Sequence, residues 1–425
     1  MSVLFGAAPL HHAVVGVYAV RASTGEVLAD QNSDLSLIPA SCMKIATTGA
    51  ALEILGPDFR FETRLEYDGT LDSGGELQGN LYIRGGGDPC LGSGRSSNCM
   101  SWREQILAWA DAVEQAGIRS IQGDVIGDAN HWESALAVPS WQWEDLGNYY
   151  GAGACALSFH ENCYSIFLEP GKEVGDGAHL VRTEPPLPLC DFCNELKTGT
   201  PDSGDQACIY GSEFGFSKML RGTIPLGVKE FSIKGALLDP SNYAASLLKQ
   251  ELERRGIAIL SNVFPKQSIT TNLHTTFSPP LQEIVYWTNQ KSINLYAEHL
   301  LKMMGEKQFG EGSTKRGIQA VTEYWKSQGI DLDGFHLADG SGLSRKNLIT
   351  AKQLVAILKE LRSSSIFVSS LPEKMAGIRG KTGGMSFIKG FAGYADDVIF
   401  AILVNQSLDP SATNEWIKQT LRECF

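Results

Sequence analysis

Several features that mark large classes of protein are missing from this sequence. No apolar run approaches the roughly 20 residues that a membrane-spanning helix needs, so we expect no transmembrane segment. Basic residues are fewer than acidic ones, 36 against 48, and they form no cluster. Because phosphate binding needs a basic face, a nucleic-acid partner is excluded. The chain also has no Gly-x-Ser-x-Gly pentad, which excludes an esterase of the α/β-hydrolase type.

The start of the chain and its cysteines give opposite indications of the compartment. Residues 1–10 have neither a basic segment nor a long apolar one, so no signal peptide is visible. The nine cysteines allow three interpretations. They could be free thiols, or Cys190-x-x-Cys193 could be part of a zinc site. The third interpretation is disulfide bonds in an oxidising compartment, because several cysteines are spaced as loop-closing pairs would be: Cys90 with Cys99, Cys155 with Cys163, and Cys190 and Cys193 with Cys208. We predict no metal and no cofactor.

Three short motifs occur along the chain, and together they indicate a serine acyl-transfer enzyme. A nucleophilic serine in Ser-x-x-Lys, with partners of the Ser-x-Asn and Lys-Thr-Gly type, marks penicillin-binding proteins and class A β-lactamases. Each motif is short enough to recur by chance, so its context has to support it. The motifs are Ser41-Cys42-Met43-Lys44, Ser292-Ile293-Asn294 and Lys381-Thr382-Gly383.

Second copies of these motifs are set aside by their context. Residues 246–249 lie in an amphipathic stretch between Asp239-Pro240 and Gly256, which predicts a helix surface. A second Lys-Thr-Gly at residues 197–199 falls in a run rich in Pro, Gly and Cys, residues 185–204, which predicts an irregular loop. A third Ser-x-x-Lys occurs at residues 386–389 and is likewise set aside by its context.

Ser41 precedes a segment that is typical of a helix. Ala, Leu and Ile dominate residues 45–55, so the sequence predicts Ser41 at a helix N-terminus, where the amides favour developing negative charge. Lys44 then lies one turn further on the same face, within reach of the Ser41 proton. A free lysine has a pKa of about 10.4, so burial and the charge of Lys381 must lower the pKa of Lys44. An N-cap serine beside a solvated lysine is the alternative for this pair alone.

The spacing of the motifs predicts an inserted region. The 425 residues, 43% of them hydrophobic and 20% charged, suffice for two or three globular domains. Lys44 and Ser292 are separated by 247 residues, far more than a compact serine domain needs. We predict a discontinuous catalytic domain, residues 1–64 and 268–425, with an accessory region of two subdomains, residues 65–267, between its parts.

The fold class predicted for the terminal parts is α/β (α+β), with a central antiparallel sheet covered by helices. A hairpin is predicted over residues 14–30, strands over 387–394 and 398–405, and a helical pattern begins again after about residue 273. Helices are predicted at residues 280–287, 295–304, 314–328 and 350–361, and after residue 411. The inserted region is predicted to be β-rich, with strands at residues 81–83 and 121–126 and a helix at 102–116. Its Gly85–Gly87 triplet predicts a tight turn, since the rest of a P-loop is absent.

The chain resembles the D-alanyl-D-alanine carboxypeptidases and endopeptidases of the penicillin-binding protein 4 type over nearly its whole length. This resemblance implies a β-lactamase/transpeptidase-like domain, peptidoglycan stem peptides and crosslinks as substrates, β-lactams as covalent inhibitors, and a periplasmic or extracytoplasmic location. Besides the three motifs it rests on Gly56-Pro57-Asp58-Phe59-Arg60-Phe61, Gly79-Asn80-Leu81-Tyr82, Gly87-Asp88-Pro89, Gly123-Asp124-Val125, Trp143-Glu144-Asp145-Leu146-Gly147 and Asp339-Gly340-Ser341-Gly342-Leu343-Ser344-Arg345.

The resemblance also implies a role for each motif residue. Ser41 would attack the carbonyl between two terminal D-alanines, and Lys44 would accept its proton. Ser292 would pass a proton to the leaving amine, while Asn294 would hold Lys44 and the substrate amide. Lys381 and Thr382 would bind the terminal carboxylate of the substrate. The amides of Ser41 and Gly384 would form the oxyanion hole. Asp145, Tyr150 and Arg345 would contact the diamino-acid side chain of the substrate.

The sequence departs from the family pattern at three places, and two other functions share its motifs. Ser-Ile-Asn replaces Ser-Asp-Asn, residues 371–380 are shorter than usual, and Ser386 stands where a longer amide side chain is common. These changes affect substrate preference rather than acyl transfer. One alternative is a serine β-lactamase-like hydrolase, although no Glu-x-x-x-Asn loop is evident. A non-catalytic cell-wall-binding module is the other, and it predicts damaged motifs.

Overall fold

The computed structural model describes residues 10–187, 190–213 and 215–424, with side chains up to residue 422. Residues 1–9, on which the signal-peptide prediction mainly rests, lie outside the described residues. Within the described chain, no helix has both the length and the hydropathy that crossing a membrane requires.

Helices and strands alternate irregularly along the chain. The helices are α1 (Lys44–Leu55), α2 (Trp102–Gln115), α3 (Pro240–Arg254), α4 (Leu281–Lys291), α5 (Asn294–Phe309), α6 (Thr314–Ser327), α7 (Ala351–Leu361), α8 (Ser365–Ser370) and α9 (Pro410–Cys424). The strands are β1 (Val14–Arg21), β2 (Val27–Gln31), β3 (Glu62–Asp68), β4 (Thr70–Leu71), β5 (Glu76–Gln78), β6 (Leu81–Arg84), β7 (Ser120–Ile121), β8 (Val125–Asp128), β9 (Cys163–Glu169), β10 (His179–Glu184), β11 (Asp191–Asn194), β12 (Lys197–Gly199), β13 (Cys208–Tyr210), β14 (Ser217–Arg221), β15 (Thr223–Pro225), β16 (Phe231–Ala236), β17 (Ala258–Ile259), β18 (Thr270–Phe277), β19 (Glu373–Met375), β20 (Ile378–Met385), β21 (Ile388–Ala395) and β22 (Val398–Asn405).

Contacts between residues divide the described chain into two compact units. The first unit contains the described residues up to Phe59, the short piece Val138–Ser140, and the residues from Pro280 onward. The second unit contains Arg60–Ala137 and Trp141–Pro279. The boundaries that we gave for the catalytic domain and the accessory region stay a prediction.

The first unit is built on a six-stranded antiparallel sheet in the order β19-β20-β21-β22-β1-β2. Strand β22 reads Val-Ile-Phe-Ala-Ile-Leu-Val-Asn and is buried at every residue. Because side chains alternate between the faces of a strand, a continuous apolar strand must be covered on both sides. Phe400, Ile402 and Val404 pack with Trp416 and Leu421 of α9, and α7 also packs against β22.

Helix α1 lies in the middle of the helical layer of this unit. It contacts α4, α5, α6 and α7, and its residues from Lys44 to Leu52 are all buried. Gly49 permits this packing, because a Cβ atom there would lie 2.5 Å from the Leu361 side chain and 3.2 Å from Trp325.

The second unit consists of small sheets and two main helices. One core joins α2 and α3 to the sheets β18-β3-β6-β8 and β17-β7-β5-β4, and it includes Trp109, Leu81 and Leu248. A second core lies among the sheets β10-β9-β16, β11-β14-β13 and β12-β15, and it includes Tyr164 and Leu220.

Most elements predicted from the sequence are confirmed by the structure, while three assignments are wrong and one helix was missed. The hairpin β1–β2, the helices α1, α2, α3, α6, α7 and α9, and the strands β21 and β22 lie within a few residues of their predicted places. Lys197–Gly199 is not a loop, because it pairs with Thr223–Pro225 in parallel. The sequence predicted a helical pattern after about residue 273, but residues 270–277 form strand β18 and pair with β3. The strand predicted over residues 121–126 is two strands, and α8 was not predicted.

The side chains of eight of the nine cysteines are described, and none of these eight forms a disulfide bond. The predicted loop-closing pairs are therefore not formed in this structure, and the free-thiol interpretation describes these residues.

Candidate active site

Ser41 lies in a 3₁₀ turn, Ala40–Met43, that leads directly into α1. The turn is held from two sides by close backbone contacts. Gly342 approaches so closely that a Cβ atom there would lie 1.9 Å from the Ala40 carbonyl oxygen. On the other side, a Cβ atom at Gly383 would lie 2.3 Å from the Pro39 carbonyl oxygen. The position of Ser41 is thus fixed by the surrounding chain, consistent with its prediction at the start of a helix.

The Lys44 ammonium is fully buried and has three hydrogen-bond acceptors. Its Nζ lies 3.1 Å from the Ser41 Oγ, 2.6 Å from the Asn294 Oδ1 and 2.6 Å from the Ser341 carbonyl oxygen. An ammonium group carries three protons, so these acceptors satisfy it completely. Loss of one proton leaves a lone pair on Nζ that can accept the Ser41 hydroxyl proton.

The surroundings of Lys44 favour loss of that proton near neutral pH. Burial, and next the charge of Lys381, lower the pKa of Lys44 to about 7, against the opposing charges of Asp339 and Glu298. Burial disfavours the charged form of a lysine, and a second cation does so as well. The neutral amine that a general base needs is therefore well populated at pH 7.

Ser292 and Asn294 flank the short connection between α4 and α5. Ser292 ends α4 in the left-handed conformation, with φ of 58°, and the Lys381 Nζ donates a hydrogen bond of 2.9 Å to its Oγ. We had expected Asn294 on the connection, but it is the first residue of α5. Because the Ser292 oxygen accepts from Lys381, its own proton is free to be directed to another group.

Lys381 lies on β20, and its ammonium is almost fully buried. Burial lowers the pKa of Lys381 to about 8. The ammonium also donates to the Thr382 carbonyl oxygen at 2.9 Å. The Cys42 thiol donates to the Lys381 carbonyl oxygen at 3.2 Å, so β20 is tied to the turn that carries Ser41.

Strand β20 presents an open edge beside this cluster. The Gly380 N–H donates to the Pro372 carbonyl oxygen on the side away from β21. Alternate residues of a strand direct their N–H groups to the same edge, so the amides of Thr382 and Gly384 point the same way. Within the described chain, no strand pairs with residues 381–385 on that side. The open edge can therefore bind an extended peptide.

Two buried carboxylates hold the turn of residues 339–344 that supplies the third acceptor of Lys44. Glu298 accepts hydrogen bonds from the Gly340 amide at 3.2 Å and the Ser341 amide at 2.8 Å. Asp339 accepts from the amides of Gly342 and Ser344 at 2.7 and 2.5 Å. Sequence analysis did not single out Glu298, although a carboxylate four residues after Asn294, on a largely apolar helix, was the available signal.

The remaining predicted site residues occupy other places. Arg345 follows the turn, and its guanidinium donates to the Ser386 carbonyl oxygen at 3.3 Å, at the hairpin between β20 and β21. Asp145 and Tyr150 belong to the second unit, where both are half-buried. Burial, and next the Asp145 carboxylate, raise the pKa of Tyr150 above its usual range.

Comparison with known proteins decides the family. The model of the D-Ala-D-Ala carboxypeptidase 3 (S13) family matches residues 6–423. The chain belongs to this S13 family. The predicted resemblance and the predicted enzyme class, a serine-type D-Ala-D-Ala carboxypeptidase, are thereby confirmed.

Individual members of the S13 family resemble the chain along most of its length. The D-alanyl-D-alanine carboxypeptidase of Actinomadura sp. (strain R39) is 29% identical, over 95% of this chain and 79% of its own. The D-alanyl-D-alanine carboxypeptidase DacB of Haemophilus influenzae is 27% identical, over 81% of this chain and 70% of its own. The crystal structure of penicillin binding protein 4 from Haemophilus influenzae superposes with a TM-score of 0.83 at 23% identity, over 99% of this chain and 98% of that one. This match confirms the predicted fold class.

Proposed function

We propose that Ser41 is the nucleophile of a D-Ala-D-Ala carboxypeptidase that acts on peptidoglycan stem peptides. The observation that carries the proposal is the hydrogen bond between Lys44 and Ser41, made by a buried lysine whose pKa is lowered to about 7. In the first step the Ser41 oxygen bonds to the carbonyl carbon between two D-alanines, and the hydroxyl proton passes to Lys44.

Stabilisation of the oxyanion is assigned to two backbone amides. The amide of Gly384 points to the open edge of β20, where an extended substrate would lie, and the amide of Ser41 is the second donor. Backbone donors fixed before the reaction stabilise charge without reorganisation, so they contribute strongly to such steps. A glycine suffices at position 384, since only its N–H takes part.

The collapse of the intermediate requires a proton for the leaving amine. As the C–N bond breaks, the amine nitrogen takes, through the Ser292 hydroxyl, the proton that Lys44 received from Ser41, and D-alanine leaves while Lys44 becomes neutral again. Lys381 supports this path because its ammonium already donates to the Ser292 oxygen. Water then attacks the ester on Ser41 and gives one proton to Lys44. As the ester C–O bond breaks, Lys44 returns this proton to the Ser41 oxygen, which restores the free enzyme and releases the shortened peptide.

The ends of the substrate are assigned to charged and polar side chains. Lys381 and Thr382 bind the terminal carboxylate, and Asn294 binds the substrate amide as well as Lys44. We also propose that Asp145, Tyr150 and Arg345 contact the diamino-acid side chain, by similarity with the family pattern. This substrate implies a periplasmic or extracytoplasmic location.

β-Lactams are proposed as covalent inhibitors, because their ring amide resembles the D-Ala-D-Ala amide. A solved structure similar to this chain, penicillin binding protein 4 of Haemophilus influenzae, is described as complexed with a β-lactam. Cleavage of crosslinks between stem peptides is a further proposed activity, since a D-amino-acid crosslink presents an amide of the same kind.

Covalent labelling with a fluorescent penicillin tests the nucleophile. Wild-type protein is expected to be labelled, with the adduct on the peptide that contains Ser41 by mass spectrometry, and the Ser41→Ala variant is expected to remain unlabelled. Ser246→Ala is the matched control, because it changes the serine of another Ser-x-x-Lys sequence, which lies on the helix α3. A folded wild type that takes no label would refute the proposal. Release of D-alanine from a pentapeptide, compared with cleavage of a crosslinked dimer, then separates the two peptidase activities.

A further inference from the structure

Glu298 is a buried carboxylate next to the proposed catalytic centre, and no step proposed above uses it. It lies on α5, one turn beyond Asn294 and on the same helix face. Only 1% of its surface is exposed. A buried carboxylate is costly unless hydrogen bonds satisfy it, so its partners show what it does.

Both oxygens of the Glu298 carboxylate accept backbone N–H groups of one turn. The Gly340 amide donates to Oε2 at 3.2 Å, and the Ser341 amide donates to Oε1 at 2.8 Å. The Ser341 carbonyl oxygen of the same turn accepts the Lys44 ammonium at 2.6 Å. The Thr47 hydroxyl, which lies on α1 with Lys44, donates to the Gly340 carbonyl oxygen at 2.7 Å.

Two of the three acceptors of Lys44 therefore depend on one face of α5. Asn294 supplies the first directly, and Glu298 fixes the second through the backbone of the turn. We propose that Glu298 is a positioning residue for Lys44: its carboxylate holds the Gly340–Ser341 peptide so that the Ser341 carbonyl stays beside the Lys44 ammonium. This inference rests on the proposed role of Lys44 as the base for Ser41.

The charged groups around this arrangement determine the sign of the expected effect. Asp339 in the turn is the charged group that acts on Glu298, and Lys381, Asp339, Glu298 and Cys42 act on Lys44. Lys302, one turn further along α5, is also buried. Burial and the Asp339 charge raise the pKa of Glu298, while the two amides that donate to its oxygens favour its ionised form. An ionised Glu298 opposes the loss of a proton from Lys44, so its neutralisation must lower the pKa of Lys44.

Glu298→Gln tests the proposal, because glutamine keeps the size of the side chain and removes its charge. It also replaces one carboxylate oxygen by an NH₂ group, which cannot accept a hydrogen bond from the backbone amide that it faces. The assay is the second-order rate constant for acylation by a chromogenic β-lactam between pH 5 and 9. A positioned general base contributes about 10²–10⁴-fold, and we expect partial loss of position to lower the plateau rate by about tenfold. The acidic limb of the profile should move to lower pH.

Two further variants separate positioning from loss of stability. Glu298→Asp keeps the charge but shortens the side chain, so the plateau rate should fall while the acidic limb stays at the wild-type pH. Asp68→Asn is the matched control: it removes a buried carboxylate of the second unit that accepts from the Asn80 amide and the Tyr82 hydroxyl at 2.7 and 2.9 Å. It should change the melting temperature without moving the limb.

The outcomes distinguish this inference from the proposed function. The role of Glu298 is overturned if the acidic limb of Glu298→Gln lies at the wild-type pH or above it, or if its plateau rate is unchanged. Either result leaves the acylation of wild-type Ser41 standing. Failure of the wild type to be acylated overturns the proposed function itself. If Glu298→Gln does not fold, Glu298→Asp decides, because an unchanged plateau rate would refute the positioning role.

Discussion

The rate at which β-lactams acylate the enzyme should depend on pH through Lys44. With a pKa of about 7, half of the Lys44 side chains are neutral at pH 7, against about one in 2,500 for a lysine with an ordinary pKa of about 10.4. Lowering the pH from 8 to 6 reduces the neutral fraction from about 0.9 to about 0.1. If the neutral amine is the base, the acylation rate should fall about tenfold over this interval.

Stopped-flow measurement with a chromogenic β-lactam, in buffers of constant ionic strength, gives this profile directly. Lys381→Met is the informative perturbation, because the Lys381 charge is the second cause of the lowered pKa of Lys44 after burial. Its removal should raise the pKa of Lys44 and move the acidic limb to higher pH, in the opposite direction from Glu298→Gln. The plateau rate should also fall, since Lys381 holds Ser292.

A profile that is flat between pH 6 and 8 would refute the reasoning, and so would a limb near pH 10. The first result means that Lys44 does not titrate in this range, and the second that burial does not change its pKa. A shift of the limb to lower pH in Lys381→Met would contradict the assigned electrostatic cause. Circular dichroism at each pH shows whether the protein remains folded.

Two other predictions concern packing and stability. Gly383→Ala should abolish β-lactam labelling and lower the melting temperature, because its Cβ atom would lie 2.3 Å from the Pro39 carbonyl oxygen. Gly177→Ala is the matched control, since within the described chain a Cβ atom there would meet no other residue within 4 Å apart from its chain neighbours. A labelled Gly383→Ala would contradict the close contact. Lys44 binds its proton less tightly in the folded than in the unfolded state, so its contribution to stability is lost as the pH falls to about 7 and recovered as the pH rises toward about 10.4. Denaturant titrations give the free energies of unfolding of the wild type and of Lys44→Met. The difference between them should therefore shift in favour of the wild type from pH 8 to pH 10, and a constant difference would refute the lowered pKa of Lys44.

The fold of the first unit could be predicted well because its patterns are strong. Strands β21 and β22 are long apolar runs, and α7 and α9 have clear amphipathic periods, so local sequence and tertiary packing agree. In the second unit the strand predicted over residues 81–83 is confirmed as β6, but most of the other short strands escaped prediction for the opposite reason. Lys197–Gly199 is three residues long, and it is a strand only because Thr223–Pro225 lies beside it, which local propensity does not encode.

The site was predictable in its motif residues but not in their supports. Ser41, Lys44 and Asn294 are joined by hydrogen bonds, as the motif order had suggested. The Ser341 carbonyl and the Glu298 carboxylate were not foreseen, because a backbone acceptor leaves no residue type in the sequence and the spacing of Glu298 from Asn294 does not show which groups it contacts. Their roles follow only from the fold of the turn between them.

The sheet order of the first unit brings the two ends of the chain together, since β1 pairs with β22 along its full length. On a ribosome, β1 emerges nearly 380 residues before its partner, and the turn with Ser41 emerges well before β20. Until the last strands are made, β1 has an open edge and Lys44 lacks the charge that lowers its pKa. Acquisition of penicillin reactivity should thus follow the synthesis of these strands, and a nascent chain released before β20 should stay unreactive.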